Sequence, residues 1–324
     1  MEQVRLGVVG CGVIGRHHLN AARKNSAIAV TAIADVREEA VRAYAEEFRV
    51  PHAFSDGRKL IESGEADAIV LALPAIHRFD LAAACLKRGI PVLIEKPVAR
   101  NVGEVQTLLD LQGNTVAGCC SARFRFLPMA DQVARVIREG RIGTLRQIKI
   151  RLQRPSKALP ENLPPVWRLN RRLNGGGFMS NWGCYFLDFV LGVFDWKLAP
   201  RQIAGQVWAI PPELSDFVPE GSDAEIKVAA QIRLLDDATI DLDLAEYAYG
   251  PEESAIEIHG TSASLRFNMI PENPSRLYEY RVDRKRGLVE TVLWEGGQDQ
   301  GGVHQGVVDN FAAAVRGEAP IKTA

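Results

Sequence analysis

A chain of 324 residues is longer than one hydrophobic core usually serves, which predicts two domains. With 47% hydrophobic residues, 24% charged residues and a net charge of −1, nothing marks a partner of nucleic acid or of a membrane surface, and no apolar run approaches a membrane span. The first strand begins almost at once, leaving no room for a signal peptide, and five cysteines (Cys11, Cys85, Cys119, Cys120, Cys184) without metal-ligand spacing read as thiols of a reducing cytoplasm, with no metal site.

Leu6 to Val9 is an apolar run too short for a helix, and it enters Gly10-x-Gly12-x-x-Gly15 with a helical pattern from Val13 to Lys24 behind it. In a strand–turn–helix unit Gly10 allows the tight turn, Gly12 lets the backbone approach a diphosphate, and Gly15 lets helix and strand pack; Val13 and Ile14 complete the turn. The diphosphate then lies on the amides at the positive end of the helix. A second apolar run, Ile28 to Ala34, ends in Asp35, where an acid reads the adenosine ribose. Asp35 favours NAD by repelling a 2′-phosphate, whereas Arg37 can accommodate one, so NADP stays open.

The next apolar runs alternate with helical patterns, as in βαβ units with a parallel sheet. Strands are expected at 4–9, 28–34, 52–54, 67–73, 91–95 and 115–119, and helices at 13–25, 36–48, 57–63, 77–88 and 101–112. Residues just past the strand ends face the ligand crevice: Asp35 and Arg37, Pro74 to His77, Glu95 to Pro97, and Ser121 onward. His77 either lines the nicotinamide end or serves only the helix terminus, and His17 and His18 read as packing or surface residues.

Val92-Leu93-Ile94-Glu95-Lys96-Pro97, taken with the glycine fingerprint, Pro74-x-x-His77 and Gly175-Gly176-Gly177 before the segment ending Tyr185-Phe186-Leu187-Asp188, resembles the glucose–fructose oxidoreductase / inositol dehydrogenase (Gfo/Idh/MocA) family along essentially the whole chain. The resemblance implies an α/β protein with a Rossmann dinucleotide domain (1–121) and a C-terminal α/β domain (122–324) built on an open, mostly antiparallel sheet. It implies oxidation or reduction of a secondary alcohol on a sugar or cyclitol with NAD or NADP. Lys96 is then the catalytic lysine, before a cis Pro97, and Glu95 and Lys96 border the cofactor. An ammonium there stabilises alkoxide character on the reacting oxygen.

The family's commoner Asp-x-x-x-His reads Asn181-x-x-x-Tyr185 in this chain. Spacing of four puts both on one helix face, with Asp188 nearby in a supporting role. Tyrosine can carry a proton when a cation such as Lys96 lowers its pKa, and Asn181 can only hydrogen-bond the substrate. Two alternatives stay open: an enzyme that keeps and recycles its NAD, and a sensor that has lost catalysis.

Beyond Cys120 a linking helix is expected at 127–139, then longer alternating strands at 144–153, 201–209, 224–235, 238–246 and 254–259, weaker ones near 264–267, 277–282 and 289–294, and a helix at 303–316. An open sheet with an uncovered face predicts a homodimer or homotetramer. Residues 123–172 hold thirteen Lys/Arg against three Asp/Glu, which either recognise an anionic sugar derivative or form a solvated face. Arg123, Arg168, Trp167 and Trp182 are the substrate candidates beside Asn181 and Tyr185, the tryptophans as stacking platforms or as core. The chain ends at Ile321-Lys322-Thr323-Ala324, where family members usually continue with one more helix; truncation is one reading of this.

Overall fold

A computed structural model describes residues 3–298 and 302–322, so Thr323 and Ala324 of the C-terminal segment lie outside the described residues. The chain divides into two compact units, one drawn from the described residues of 1–123, 172–175 and 301–324, the other from 124–171 and 176–300.

The first unit alternates strand and helix: β1 (Val4–Val9), α1 (Val13–Arg23), β2 (Ile28–Ala34), α2 (Glu38–Phe48), β3 (His52–Phe54), α3 (Gly57–Ser63), β4 (Ala68–Leu71), α4 (Ala75–Lys87), β5 (Val92–Ile94), α5 (Val102–Gln112) and β6 (Ala117–Cys119). All six strands pair in parallel, in the order β3-β2-β1-β4-β5-β6. Strand order reverses between β1 and β4, and the crevice at their carboxyl ends is where such sheets bind ligands. The central strands are largely apolar because helices cover both faces: β4 is buried at every residue, while α2 turns only Val41, Tyr44 and Phe48 inward.

Two helix starts lie two residues from the expectation, each for a local reason. The second helix begins at Glu38 because Asp35 Oδ1 accepts from Arg37 N at 2.9 Å, a side-chain turn that delays it. The fourth begins at Ala75 because Pro74, with φ −56° and ψ 148°, serves as its N-cap.

The second unit carries α6 (Pro128–Arg138), β7 (Leu145–Pro155) and α8 (Cys184–Val193), the four-residue α7 (Arg171–Asn174) lying between β7 and α8 at the seam of the chain division. Then come β8 (Pro200–Ala209), β9 (Glu225–Leu234), β10 (Thr239–Ala248), β11 (Glu253–Gly260), β12 (Ser264–Phe267), β13 (Ser275–Asp283) and β14 (Gly287–Gly296). These eight strands form one sheet, β14-β13-β12-β11-β7-β10-β9-β8, antiparallel except for the β7–β10 pair. The alternation expected at 238–246 is present: Ile240, Leu242 and Leu244 are buried and face Ile148, Ile150 and Leu152 across the parallel pair. Edge strand β8 is exposed along its entire length.

The last helix, α9 (Val303–Val315), was expected in the second domain but packs in the first unit. Its His304 ring stacks on His17 of α1 at 4.8 Å, Gln305 Nε2 donates to Ala21 O at 3.1 Å, and Asn25 Nδ2 donates to Asp309 Oδ1 at 2.7 Å. Sequence order alone gives no sign of that return.

Candidate active site

The glycine turn of the first unit is shaped as its sequence demands. Gly10 has φ +110°, and a Cβ there would stand 2.3 Å from Ala72 O; one on Gly15 would stand 1.9 Å from Gly10 O. Gly12 is different, because a Cβ there would meet nothing within 4 Å. Its side faces open space, no side chain caps α1, and Val13 beside it is exposed. A diphosphate needs that combination of bare backbone and uncapped helix end, so the residues fit NAD.

Asp35 closes the turn. Its Oδ2 accepts from Cys11 N at 2.8 Å, while Arg37 donates to Oδ1 through Nε and to Oδ2 through a terminal nitrogen, both at 3.1 Å, and to Cys11 O at 3.0 Å. Burial opposes ionisation of Asp35, but the guanidinium and two backbone amides outweigh it and hold the carboxyl below its usual range. The fingerprint, Asp35 and Arg37 are thus one hydrogen-bonded assembly. Pro74 caps α4, and His77 sits exposed in its first turn.

Glu95 and Lys96 follow directly from β5, and the Lys96-Pro97 peptide is cis. Glu95 turns inward, 4% exposed: Oε1 lies 2.9 Å from His18 Nε2 and Oε2 accepts from Lys96 N at 3.1 Å. Burial disfavours its charge, yet His18, Arg123 and Lys96 together hold it well below the usual carboxylate range. Arg78, 2% exposed, donates to the backbone carbonyls of Leu73, Glu95 and Pro97, so it ties the end of β4 to the Lys96 turn. Arg123, expected at the substrate, donates to His304 Nε2 at 3.1 Å within this unit. Among the described residues, His18, Glu95 and Cys120 are the one group with ligand atoms within 4.8 Å of one another. The 2.9 Å His18–Glu95 spacing is that of a hydrogen bond; two ligands of one tetrahedral ion need about 3.3 Å.

In the second unit, Asn181 and Trp182 lie in a π-helical turn, Met179–Gly183, that runs into α8; the expected regular α-helical face is wound more loosely there. Such turns are rare and are frequent at functional sites. Glu225 fixes the entry to the turn: its Oε1 accepts from Gly177 N at 2.8 Å and Met179 N at 3.2 Å, and a Cβ on Gly177 would stand 2.0 Å from Glu225 O. That close approach is why the glycine run precedes the helix. The Tyr185 ring, 1% exposed, meets Phe124 at 5.2 Å and Trp182 at 5.7 Å, both edge-on. Asp188 pairs with Arg125, and Arg168 pairs with Glu246. Trp167 is half-buried in a short 3-10 turn, Val166–Leu169.

Sequence reasoning missed His18, Arg78, Cys120 and His304. His18 falls on the buried stripe of α1, a spacing that reads as packing, and only its distance to Glu95 reveals its role.

The profile described as "Oxidoreductase family, NAD-binding Rossmann fold" matches residues 4–116, and that of the "GFO/IDH/MocA C-terminal domain" matches residues 130–266. The chain is 23% identical over 300 residues to a levoglucosan dehydrogenase of Pseudarthrobacter phenanthrenivorans, covering 83% of this chain and 74% of the relative. It is 25% identical over 292 residues to a myo-inositol 2-dehydrogenase of Thermotoga maritima, covering 87% and 80%. A solved structure of levoglucosan dehydrogenase with NADH and levoglucosan superposes with a TM-score of 0.83 at 20% identity, over 99% of this chain and 93% of that one. With both halves matched, the chain belongs to the Gfo/Idh/MocA oxidoreductase family and carries its NAD-binding Rossmann fold.

Proposed function

We propose that the chain is an NAD-dependent dehydrogenase or reductase of a secondary alcohol or ketone on a sugar, cyclitol or sugar derivative. The observation that carries this reading is the placement of Lys96. It follows β5 on the carboxyl edge of the parallel sheet that also bears the Gly10–Gly15 turn and Asp35, after β1 and β2. The relatives named as levoglucosan and myo-inositol dehydrogenases support the substrate class.

Bound NAD would supply the hydride acceptor. The Gly12–Gly15 backbone holds the diphosphate, and Asp35 accepts from the adenosine ribose. Pro74 and His77 border the cofactor, and Glu95, turned inward onto His18, positions the Lys96 turn in place of the cofactor contact expected of it. The Lys96 ammonium donates to the reacting oxygen and stabilises its negative charge as the C–H bond breaks. Tyr185, as its phenolate, takes the hydroxyl proton, or as the phenol returns it in the reverse direction, and Asn181 orients the substrate by hydrogen bonding. Trp167 and Trp182 complete the substrate residues of this reading, whereas Arg123 and Arg168 are engaged by His304 and Glu246.

The same reading includes a second copy of the chain on the outer sheet strands, where Ile203 is 68% exposed and Leu288 70% exposed. It also includes a reducing cytoplasm, supported by five cysteines none of which forms a disulfide. Among the described residues no helix is long and apolar enough to cross a membrane.

The test is the absorbance of reduced nicotinamide when NAD is added with sugars, cyclitols and sugar acids. Reduction by a panel member is expected, and Lys96→Ala and Tyr185→Phe should each lower turnover by ~100-fold while NAD still binds. Full turnover in Tyr185→Phe would remove the tyrosine from proton transfer. Cofactor that co-purifies and never exchanges would point to the recycling enzyme, and NAD binding without any turnover to a sensor.

A further inference from the structure

The basic segment 123–172 resolves, residue by residue, into cations that are already used and one that is not. Arg125, Arg135, Arg141, Arg151 and Arg168 are ion-paired. Arg123 donates to His304, and the exposed Arg171 guanidinium donates to the backbone carbonyl of Asp223. Five others are exposed to water. Arg154 is the exception. It is half-buried at the end of β7, and among the described residues it makes no ion pair.

Its guanidinium carbon lies 3.9 Å from the centre of the Trp182 ring, and its Nε is buried with no hydrogen-bond acceptor. The carboxylate nearest in register is Glu246, its partner across the parallel β7–β10 pair. Glu246 instead pairs with Arg168 through Oε1, and its Oε2 is buried with no partner. Burial pushes the Arg154 guanidinium below its ordinary value, and Arg168 adds to that against the opposing pull of Glu246 and Glu252. A half-buried cation of this kind is costly unless an anion arrives.

Trp182 shares the π-helical turn with Asn181, and its ring abuts Tyr185. The indole therefore holds the Arg154 fork, one ring away from the group proposed to move the proton. We propose that Arg154 is the substrate-selecting cation of this enzyme, and that it receives a carboxylate or phosphate carried by an anionic sugar derivative. The planar fork matches either group bidentately. This rests on the reading of Asn181 and Tyr185 as substrate residues.

The test is equilibrium binding of D-gluconate, D-glucose 6-phosphate and D-glucose to the full chain loaded with NADH, for the wild type, Arg154→Met and Arg154→Lys. At least one anion should bind ~30-fold more tightly than glucose, the scale of a charge-assisted hydrogen-bonded pair. Arg154→Met, which keeps volume over the indole, should abolish the preference, and Arg154→Lys, which keeps charge but loses the fork, should retain only part of it. Gluconate alone responding identifies a carboxylate, and glucose 6-phosphate alone a phosphate. Equal binding of all three by the wild type overturns the proposal, as does an equal loss for all three in Arg154→Met. Should Arg154→Met fail to fold, an unchanged anion preference in Arg154→Lys overturns it. Binding to the NADH-loaded chain involves no turnover, so hydride transfer is read separately with NAD⁺: an Arg154-dependent preference with no reduction of NAD⁺ by the sugar panel would sink the dehydrogenase reading and leave this inference standing; reduction of NAD⁺ by neutral sugars with no anion preference would do the reverse.

Discussion

Glu95 Oε1 lies 2.9 Å from His18 Nε2, joining the end of β5 to the first helix across 77 positions of chain. The carboxylate beside the proposed catalytic Lys96 is thereby consumed inside the protein and holds the Lys96 amide through its other oxygen. Glu95 positions the turn and does not point at a ligand. His18→Ala should leave a buried carboxylate one partner short and lower stability by about 3 kcal/mol. Glu95→Gln, which removes the charge and keeps the shape, should cost less. Denaturant unfolding of both variants checks the order; equal losses would show that the charge is irrelevant.

His304 should impose a pH slope on stability. Burial, His18 and Arg123 push it from 6.5 down to about 3, and its Nε2 accepts from Arg123, which requires the neutral ring. The unfolded chain binds this proton below pH 6.5 and the folded chain only near 3, so stability must fall as pH drops through that window. The full contribution is on the order of a few kcal/mol. His17, stacked on His304 and also lowered by burial, acts in the same direction, while Glu95 adds its loss only below its ordinary 4.5. Melting temperatures from pH 6.5 to 4.5 should decline in the wild type and decline less in His304→Phe.

The three glycines of the fingerprint should separate by phenotype. Gly15→Ala forces a Cβ to within 1.9 Å of Gly10 O and should lower both the melting temperature and NAD binding. Gly12→Ala meets nothing in the protein, so folding should be unaffected while NADH affinity falls at least about tenfold, ~1.4 kcal/mol. Thermal melts beside NADH fluorescence titrations decide it. Unchanged affinity in Gly12→Ala would move the diphosphate elsewhere.

Cofactor choice turns on Asp35 and Arg37. The guanidinium is 62% exposed and bound to the carboxylate, so it neutralises part of the charge that should exclude a 2′-phosphate. Asp35→Ser should move the Kd ratio towards NADP by at least about tenfold. Arg37→Ala should move it towards NAD. Titration with both reduced cofactors measures the ratio, and no change in either variant would place the ribose away from this pair.

If the second copy sits on the outer strands, Ile203→Lys on β8 should shift the molar mass measured by light scattering towards the monomer without lowering the melting temperature, since Ile203 is 68% exposed in the single chain. An unchanged assembly would free that face of the role.

The sequence by itself determined the elements and the cofactor fingerprint. Periodicity separates β10, with Ile240, Leu242 and Leu244 on one face, from α2, with Val41, Tyr44 and Phe48 on one stripe, because both patterns are local and burial enforces them. Gly10, Gly12, Gly15 and Asp35 were legible for the same reason: a tight turn and a strand end constrain residue type at fixed spacing. Tertiary structure alone decided the rest. His18 on Glu95, α9 on α1, and Arg154 on Trp182 in place of Glu246 are pairings across sheet or helix contacts. A charge pattern counts cations but not their partners. Whether an arginine is spent on a neighbouring carboxylate or left for a ligand depends on distances of a few ångströms between segments remote in the chain.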